Sequence, residues 1–230
     1  MKKGRTFGNN VLVKLDEDND KYKYPSGLEI YIDNSFEPEK HITVTGEIYG
    51  IPKKLKYNGQ GGISWDTDIE IQIGDKVVMY YLAVINAFKA ESCKAIFEGT
   101  DKYVFISYES IYAVIRDGVI IPVNGYCLVE PCENPAWARL QERMKLLGLE
   151  AVQLNNKNNT DVVYGIARYV GKPVMEYIGG RTDKGVDVNP GDTVVMRRIS
   201  DVPVEFDMHA KLDGGKKYWR VQRRNILAII

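Results

Sequence analysis

Short apolar runs separated by polar turns recur along this chain, and most of them have the spacing of β-strands. Ile42, Val44 and Ile48 stand at even positions between polar residues, as in a strand with one buried face. Asn58-Gly59 and Asp117-Gly118 are pairs that favour tight turns between such runs. The pattern predicts an all-β chain with little helical content.

One apolar run returns later in the chain. The residues IGDKVVM at 73–79 come back as PGDTVVM at 190–196, which places Gly191 117 residues after Gly74. In both copies a Gly-Asp pair precedes a β-branched strand. Three more segment pairs recur in the same order at shifts of 115 to 121 residues: 11–14 with 127–130, 27–29 with 148–150, and 110–115 with 225–230. We therefore predict tandem domains at 1–117 and 118–230 that touch, because their linker is short.

The second repeat contains the one segment with clear helical spacing. Asn134 suits an N-cap, Pro135 the first helical position and Gly148 the position just after the helix. One face of this helix carries four apolar residues: Trp137, Leu140, Met144 and Leu147. We predict one short helix here, with that face buried against a barrel or a neighbouring chain. Residues 83–95 of the first repeat are predicted to be β-structure.

Charge and cysteine content narrow the class of protein. Thirty-one basic and 31 acidic residues cancel, so the net charge gives no reason to expect a nucleic-acid or membrane partner. No apolar run approaches the ~20 residues that span a bilayer, and the N-terminal residues lack a signal-peptide core. We expect a cytoplasmic protein. Cys93, Cys127 and Cys132 form no CxxC pair and are expected to be free, buried thiols.

Catalytic and metal-binding patterns are absent from the sequence. It has no phosphate-binding loop, nucleophile elbow or dinucleotide fingerprint. His41 and His209 are the only histidines and are far apart in sequence, whereas zinc sites use clustered Cys and His. Asp66, Asp68 and Glu70 are interpreted as the solvated face of a segment before a strand. We expect no enzyme activity, no catalytic residue, no cofactor and no metal.

Taken in order, the recurring segments resemble the subunit of a GroES-type co-chaperonin. The matching features are a first strand at 11–14, a long loop that ends in Gly27 and apolar residues, a Gly-rich hairpin, the Gly-Asp block, and a last strand at 226–229. The resemblance implies an all-β chain of two GroES-like, partly open β-barrels in tandem, with the short helix inserted in the second.

The resemblance also implies a function. A co-chaperonin caps a chaperonin ring, and its mobile loops bind the ring's apical domains, while the chaperonin itself binds and hydrolyses ATP during protein folding. Chaperonin binding is thereby assigned to Gly27, Leu28, Glu29 and Ile30 of the first repeat and to Leu149, Ala151 and Val152 of the second. In an extended segment Leu28 and Ile30 lie on one side and Glu29 on the other.

Two alternatives stay open at this stage. Leu28, Ile30 and Leu149 could belong to core strands and not to binding loops. The chain could also be a structural or interaction protein, viral in origin, that keeps the barrel without chaperonin binding. In either case we expect self-association, because residues 11–15 and 225–230 are predicted to form free strand edges.

Overall fold

The computed structural model of the chain is mostly β-structure, as predicted, with two antiparallel sheets. It describes residues 2–16, 21–23, 26–27, 29–31, 42–56, 65–148, 162–178, 181–183, 187–197, 202–203, 216 and 218–230. The strands are β1 Gly4–Thr6, β2 Asn10–Leu15, β3 Lys21–Lys23, β4 Glu29–Tyr31, β5 Thr45–Pro52, β6 Trp65–Asp66, β7 Lys76–Met79, β8 Ala95–Glu98, β9 Asp101–Ser107, β10 Ile111–Arg116, β11 Val119–Pro122, β12 Tyr126–Cys132, β13 Val162–Val170, β14 Met175–Ile178, β15 Arg181–Asp183, β16 Thr193–Arg197, β17 Val202–Pro203, β18 Trp219–Gln222 and β19 Ile226–Ile229. The helices are α1 Tyr81–Phe88 and α2 Pro135–Leu146, with single 3-10 turns at Ala90–Ser92, Tyr108–Ser110 and Arg223–Asn225.

The two larger sheets come from consecutive parts of the chain. In the first sheet the strand order is β11-β10-β7-β5-β2-β9-β8, and β1 pairs in parallel with β5. In the second sheet the order is β17-β18-β12-β13-β16-β19. The domain boundary after residue 117 stays a prediction, and β11, which follows it closely, completes the first sheet by pairing with β10.

Five strands have the same order in both sheets. The order β10-β7-β5-β2-β9 in the first sheet corresponds to β19-β16-β13-β12-β18 in the second, and chain order runs through the two sets in the same sequence. A 3-10 turn precedes the last strand of each set, at Tyr108–Ser110 and Arg223–Asn225. The two repeats therefore share one topology.

The repeated Gly-Asp block forms the same turn in both repeats. The N–H of Gly74 donates to the Ile48 carbonyl at 2.9 Å, and the N–H of Gly191 donates to the Ala167 carbonyl at 2.7 Å. Both glycines have positive φ, 97° and 98°, which glycine adopts without steric cost. Because an aspartate carboxylate in each turn accepts a backbone N–H at 2.7 Å, the turn is closed by the side chain that the sequence repeats.

A bulge also recurs at the start of each repeat. The register of β2 against β5 shifts between Leu12 and Val13, and that of β12 against β13 shifts between Leu128 and Val129. A glycine lies near each bulge, with Gly46 opposite Leu15 and Gly165 opposite Pro131. A Cβ on Gly46 would lie 2.6 Å from Val13 Cγ1, and one on Gly165 would lie 2.8 Å from the Glu130 carbonyl oxygen. A side chain at either position would force the neighbouring strand to shift.

Three groups of buried apolar residues form the core. One lies mainly in the first repeat and includes Val123, and one lies in the second repeat around Val129 and Met196. The third joins the repeats, since it unites Val44, Val78, Tyr112 and Ala113 with Tyr126, Leu128 and Tyr218. A small sheet, β15-β14-β6, also joins strands from both halves. The repeats are thus in contact, as the short linker predicts.

The first repeat contains a helix that the sequence pattern does not predict. Residues 83–95 were expected to be β-structure, whereas α1 covers Tyr81–Phe88 and the strand before it ends at Met79. Val84 and Ala87, three residues apart, are the buried positions of α1. The prediction failed because the β-branched Val84 and Ile85 favour strands, while their spacing also fits a helix packed on the core.

The predicted free edge at residues 11–15 is wrong. These residues form β2, which pairs with β5 on one side and β9 on the other. The predicted edge at residues 225–230 is confirmed within the described residues, because β19 ends the second sheet. Strand β2 lies inside its sheet because the hairpin of β8 and β9 returns along its outer side.

We predict that Gly165→Ala lowers the free energy of unfolding by about 1–3 kcal/mol, since the new methyl group must displace β12 at its bulge. Urea denaturation of the full chain measures this. Gly4→Ala is the matched control, because the nearest heavy atom to its Cβ would be 3.9 Å away. Equal unfolding midpoints for the two variants would contradict the close approach of β12 and β13.

Candidate functional site

Each repeat has an insertion between its first and second central strands. In the first repeat the insertion lies between β2 and β5 and contains the hairpin of β3 and β4. In the second it lies between β12 and β13 and contains α2. The residues to which the GroES resemblance assigns chaperonin binding fall in these two insertions.

The first insertion contains a hairpin that stands apart from both main sheets. Its register places Lys21 opposite Tyr31, Tyr22 opposite Ile30 and Lys23 opposite Glu29. Neither strand pairs with another strand in the part of the chain that the structure describes. The backbones of Glu29 and Ile30 therefore belong to a separate two-stranded sheet.

Gly27 lies at the turn of this hairpin. It is exposed, its φ is +84°, and no heavy atom would lie within 4 Å of an added Cβ. A glycine at this φ is free of the strain that a larger residue would suffer. Leu28, the next residue assigned to binding, lies outside the described residues.

The second insertion begins with α2, whose ends agree with the sequence prediction. The Asn134 side chain accepts a hydrogen bond from the Ala136 N–H at 3.0 Å, and Pro135 occupies the first turn. The N–H of Gly148 donates to the Lys145 carbonyl at 3.1 Å, and the φ of Gly148 is +70°. Leu149, Ala151 and Val152 follow directly and lie outside the described residues.

The apolar face of α2 is not buried against its own chain, so the predicted burial against a barrel of the same chain is wrong, and burial against a neighbouring chain stays a prediction. Leu140 is 45% exposed and Leu147 is 73% exposed, while Trp137 and Met144 are only half-buried. Leu146 adds a further exposed side chain at the end of the helix. A twelve-residue helix gains most of its stability from packing of its apolar face. The exposed face therefore suits contact with another molecule.

The turn that connects the repeats is held by buried hydrogen bonds. The N–H of Asn124 donates to Glu70 Oε2 at 2.9 Å, and Asn124 Nδ2 donates to the carbonyls of Tyr108 and Ile111 at 2.8 and 2.9 Å. Burial raises the pKa of the Glu70 carboxyl. Glu70 is half-buried, so the prediction of a solvated face is wrong for this residue. Asp68, by contrast, is exposed.

A bidentate ion pair ties the Gly-Asp turn to β10. Arg116 Nε donates to Asp75 Oδ1 at 2.8 Å, and Arg116 Nη2 donates to Asp75 Oδ2 at 2.6 Å. The same nitrogen donates to the Glu70 carbonyl at 3.2 Å. The hydrogen bond to Asp75 raises the pKa of Arg116. Because the Asp75 carboxylate is buried, this pair fixes the segment before β7 and so the frame of the first repeat.

An arginine of the second repeat lies among tyrosines of the first. The Arg220 guanidinium is 4.1 Å from the centroid of the Tyr112 ring and 5.1 Å from that of Tyr80. Tyr112 also meets Tyr126 edge to face, with ring centroids 5.1 Å apart. Cation–π contacts of this kind are stronger when they are shielded from water. The contact helps to orient the two repeats relative to each other.

Sequence reasoning missed two contacts between the repeats, the hydrogen-bonded turn at Asn124 and the packing of Arg220 on Tyr112. Asn124-Gly125 is the signal that could have found the first, because Asn-Gly favours a tight turn and both residues have positive φ, 58° and 69°. Nothing in the sequence places Arg220 beside Tyr112. The two are distant in the chain, and their contact depends on how the sheets pack.

The structure offers no metal site within the residues it describes. No group of three or more His, Cys, Asp or Glu side chains there could hold a metal ion. All three cysteines are free, but only Cys127 is buried, so the prediction of buried thiols is wrong for the exposed Cys93 and incomplete for the half-buried Cys132. Burial raises the pKa of the Cys127 thiol to about 11, which suppresses its reactivity.

Two further observations bear on the class of protein. No helix in the described ranges combines the length and apolarity needed to cross a membrane. Neither the models of known protein families nor the curated proteins contain a match to this chain.

We predict that Arg220→Ala lowers the free energy of unfolding by about 1–3 kcal/mol, because it removes a shielded cation–π contact and the packing of the arginine stem between the repeats. Guanidinium denaturation measures the change. Arg168→Ala is the matched control, since it breaks an exposed ion pair with Glu130 in the same sheet and should cost at most about 1 kcal/mol. Equal costs would contradict the proposed role of Arg220.

We predict a pH-dependent effect for Glu70→Gln. Because the folded pKa of Glu70 lies above its unfolded value, its contribution to stability is full below the unfolded pKa and is lost as pH rises through the folded pKa. Glutamine keeps an acceptor for the Asn124 N–H without the buried charge. The stability of Glu70→Gln relative to the native protein should therefore increase from pH 4 to pH 7. Thermal melts of the two proteins across this range measure the difference, and parallel curves for Glu70→Gln and the native protein would contradict the cause given for the shift.

Proposed function

We propose that this chain is a tandem co-chaperonin of the GroES type, which caps a chaperonin ring in the cytoplasm and has no enzyme activity of its own. The observation that carries the proposal is the shared order of five strands in the two sheets, each with an insertion between its first and second strands. This arrangement supports two similar partly open barrels, each of which presents one loop to a partner.

The first insertion supports chaperonin binding most directly. Its hairpin is separate from the main sheets, and Gly27 at its turn is exposed. We propose that Leu28 and Ile30 enter an apolar groove of the chaperonin's apical domain, with Gly27 allowing the turn and Glu29 facing water. Each such contact is weak. Several loops that bind one ring at once would multiply modest affinities.

The second insertion would bind differently. Leu149, Ala151 and Val152 follow α2, and the exposed apolar face of that helix adds surface beside them. We propose that the helix and these residues form one contact with the chaperonin. ATP binds to the chaperonin and is hydrolysed there, so the chain needs no cofactor.

The second candidate function is that of a structural or interaction protein which keeps the duplicated barrel without chaperonin binding. Among the described residues, the insertion of the first repeat contains a hairpin and that of the second contains a helix. If chaperonin binding requires equivalent loops in both repeats, this asymmetry favours the structural or interaction protein.

We predict that the full chain is retained by an immobilised chaperonin ring in the presence of ATP and that Leu28→Asp combined with Ile30→Asp abolishes retention. Charged groups at both positions cannot enter an apolar groove without a large desolvation cost. Phe97→Asp is the matched control, because Phe97 is 64% exposed and lies on β8, outside both insertions. Circular dichroism checks that each variant folds.

The outcomes separate the two candidate functions. Retention of the native chain and of Phe97→Asp, with loss of the double variant, supports the co-chaperonin. Absence of retention for the native chain favours the interaction protein. A double variant that folds and still binds moves the contact to the second insertion, and one that does not fold identifies Leu28 and Ile30 as core residues.

A further inference from the structure

Strand β8 ends the first sheet on the side opposite β11, and its outer edge is uncovered among the residues that the structure describes. Its inner edge pairs antiparallel with β9, from Ala95 opposite Val104 to Glu98 opposite Asp101. An uncovered strand edge presents backbone N–H and C=O groups that a further strand can bind. The side chains of β8 determine which strand fits there.

Strand β8 carries an exposed aromatic side chain at this edge. Phe97 is 64% exposed and lies beside Phe88 of α1, which is 36% exposed, with the ring centroids 6.1 Å apart. Ala95, two residues before Phe97, lies on the same face of the sheet and packs on the core of the first repeat. The face of β8 toward α1 is therefore apolar up to the edge of the sheet.

Alternation of the backbone bonds identifies the residues that offer hydrogen bonds at the outer edge. The Phe105 N–H donates to the Lys94 carbonyl at 2.7 Å, so the backbone of Lys94 is turned toward β9. In an antiparallel pair, residues that bond to one neighbour alternate with residues whose N–H and C=O point away from it. Every second residue from Lys94 therefore bonds to β9, whereas Ala95 and Phe97 present their N–H and C=O groups at the outer edge.

Two residues with positive φ limit this edge. Cys93 has φ +50° and Gly99 has φ +63°, and neither conformation continues an extended strand. The extended edge thus runs from residue 94 to residue 98. Because directly opposed residues of an antiparallel ladder have the same bonding type, a two-fold axis at this edge passes between two copies of one residue. Only an axis at Ile96 uses the whole edge of both copies.

The side chains of two copies match in this register. Lys94 and Glu98 are both exposed, and each lies opposite the other residue in the second copy, so two pairs of opposite charge flank the axis. Phe97 lies opposite the small Ala95 of the second copy. Ile96 meets its own counterpart in a non-hydrogen-bonded pair, where Cα atoms are about 4.5 Å apart. The edge is therefore complementary to itself.

We propose that two copies of this chain associate through β8, antiparallel and about a two-fold axis at Ile96, so that the first sheets of both copies form one continuous sheet. The outward N–H and C=O groups of Ala95 and Phe97 exchange hydrogen bonds across the axis. The two Phe97 residues lie diagonally at about 7–8 Å, a spacing that aromatic rings bridge. The contact is isologous, because both copies use the same surface.

This contact is separate from chaperonin binding, because β8 lies outside both insertions. Its tests therefore use the full chain alone. A dimer that no chaperonin ring retains would overturn only the proposed function, and a retained chain that stays monomeric would overturn only the β8 contact. Phe97→Asp is expected to weaken the dimer and still to be retained by the ring.

The first test exchanges charges and measures dissociation constants by sedimentation equilibrium over a concentration series. We expect the native chain to associate. Lys94→Glu and Glu98→Lys each place like charges opposite one another on both sides of the axis, so each should raise the dissociation constant by about tenfold. An equimolar mixture of the two variants restores both pairs of opposite charge and should associate with native affinity.

Lys53→Glu is the matched control for the charge variants. Lys53 is exposed and follows β5, so the same change of charge falls outside β8, and the variant should associate like the native chain. A native chain that stays monomeric throughout overturns the proposal. So does a mixture of Lys94→Glu and Glu98→Lys that associates no better than either variant alone, or a loss of association in Lys53→Glu as large as in Lys94→Glu.

The second test examines the register. Ile96→Cys is made in a chain with Cys93→Ser, which removes the exposed native thiol. Opposed residues of a non-hydrogen-bonded pair lie close enough for a disulfide, so mild oxidation should cross-link this variant with itself. Thr100→Cys in the same background lies at the hairpin turn, away from the axis, and should not cross-link. Absence of cross-linking in Ile96→Cys, or equal cross-linking of the two variants, overturns the proposal.

Discussion

The pairing of β11 with β10 is the contact on which the arrangement of this molecule depends. It extends the first sheet with a strand that leads into the second repeat, and it places Val123 in the first repeat's core. The turn that follows is held by hydrogen bonds. The Asn124 side chain donates to the carbonyls of Tyr108 and Ile111, and the Asn124 N–H donates to the Glu70 carboxylate. From there β12 begins the second sheet. The relative position of the two sheets is therefore set by this backbone pairing, together with that of β6 and β14, and is reinforced by Arg220 among the tyrosines.

Much of this architecture could be predicted from the sequence where local chemistry determines structure. The Gly-Asp block forms the same turn twice, and the limits of α2 follow from the Asn134, Pro135 and Gly148 signals. Prediction failed where contacts between residues distant in the sequence determine the structure. The sequence of α1 fits both strand and helix periodicity, and only the core that buries Val84 and Ala87 decides for the helix. Strand β2 was expected at an edge because nothing local shows that β9 pairs with it. For the candidate site, the sequence predicted the positions of the two insertions, while their roles stay predictions.

The two repeats use one frame for two kinds of insertion. The hairpin of β3 and β4 is short, whereas α2 presents Leu140, Leu146 and Leu147 to its surroundings. An insertion between the first two strands of a sheet can vary in this way because the pairing of those strands does not require a short connection. After duplication, one copy could therefore change its contact surface while the other kept its own, with no change to the core beneath.

Because the Val123 N–H donates to the Tyr112 carbonyl and β11 pairs with β10, the first sheet includes one strand that belongs to the second repeat in sequence. The boundaries of the sequence repeat and of the sheet therefore differ by one strand. A polypeptide cut at the end of β10 would leave the first sheet without β11 and would expose Tyr112 and Ala113 to water. During synthesis the first sheet can be completed only after the ribosome has released the opening of the second repeat. Recombination that exchanges repeats between such proteins should therefore preserve function when the crossover falls before β1 or β11, so that each leading strand travels with the repeat that follows it.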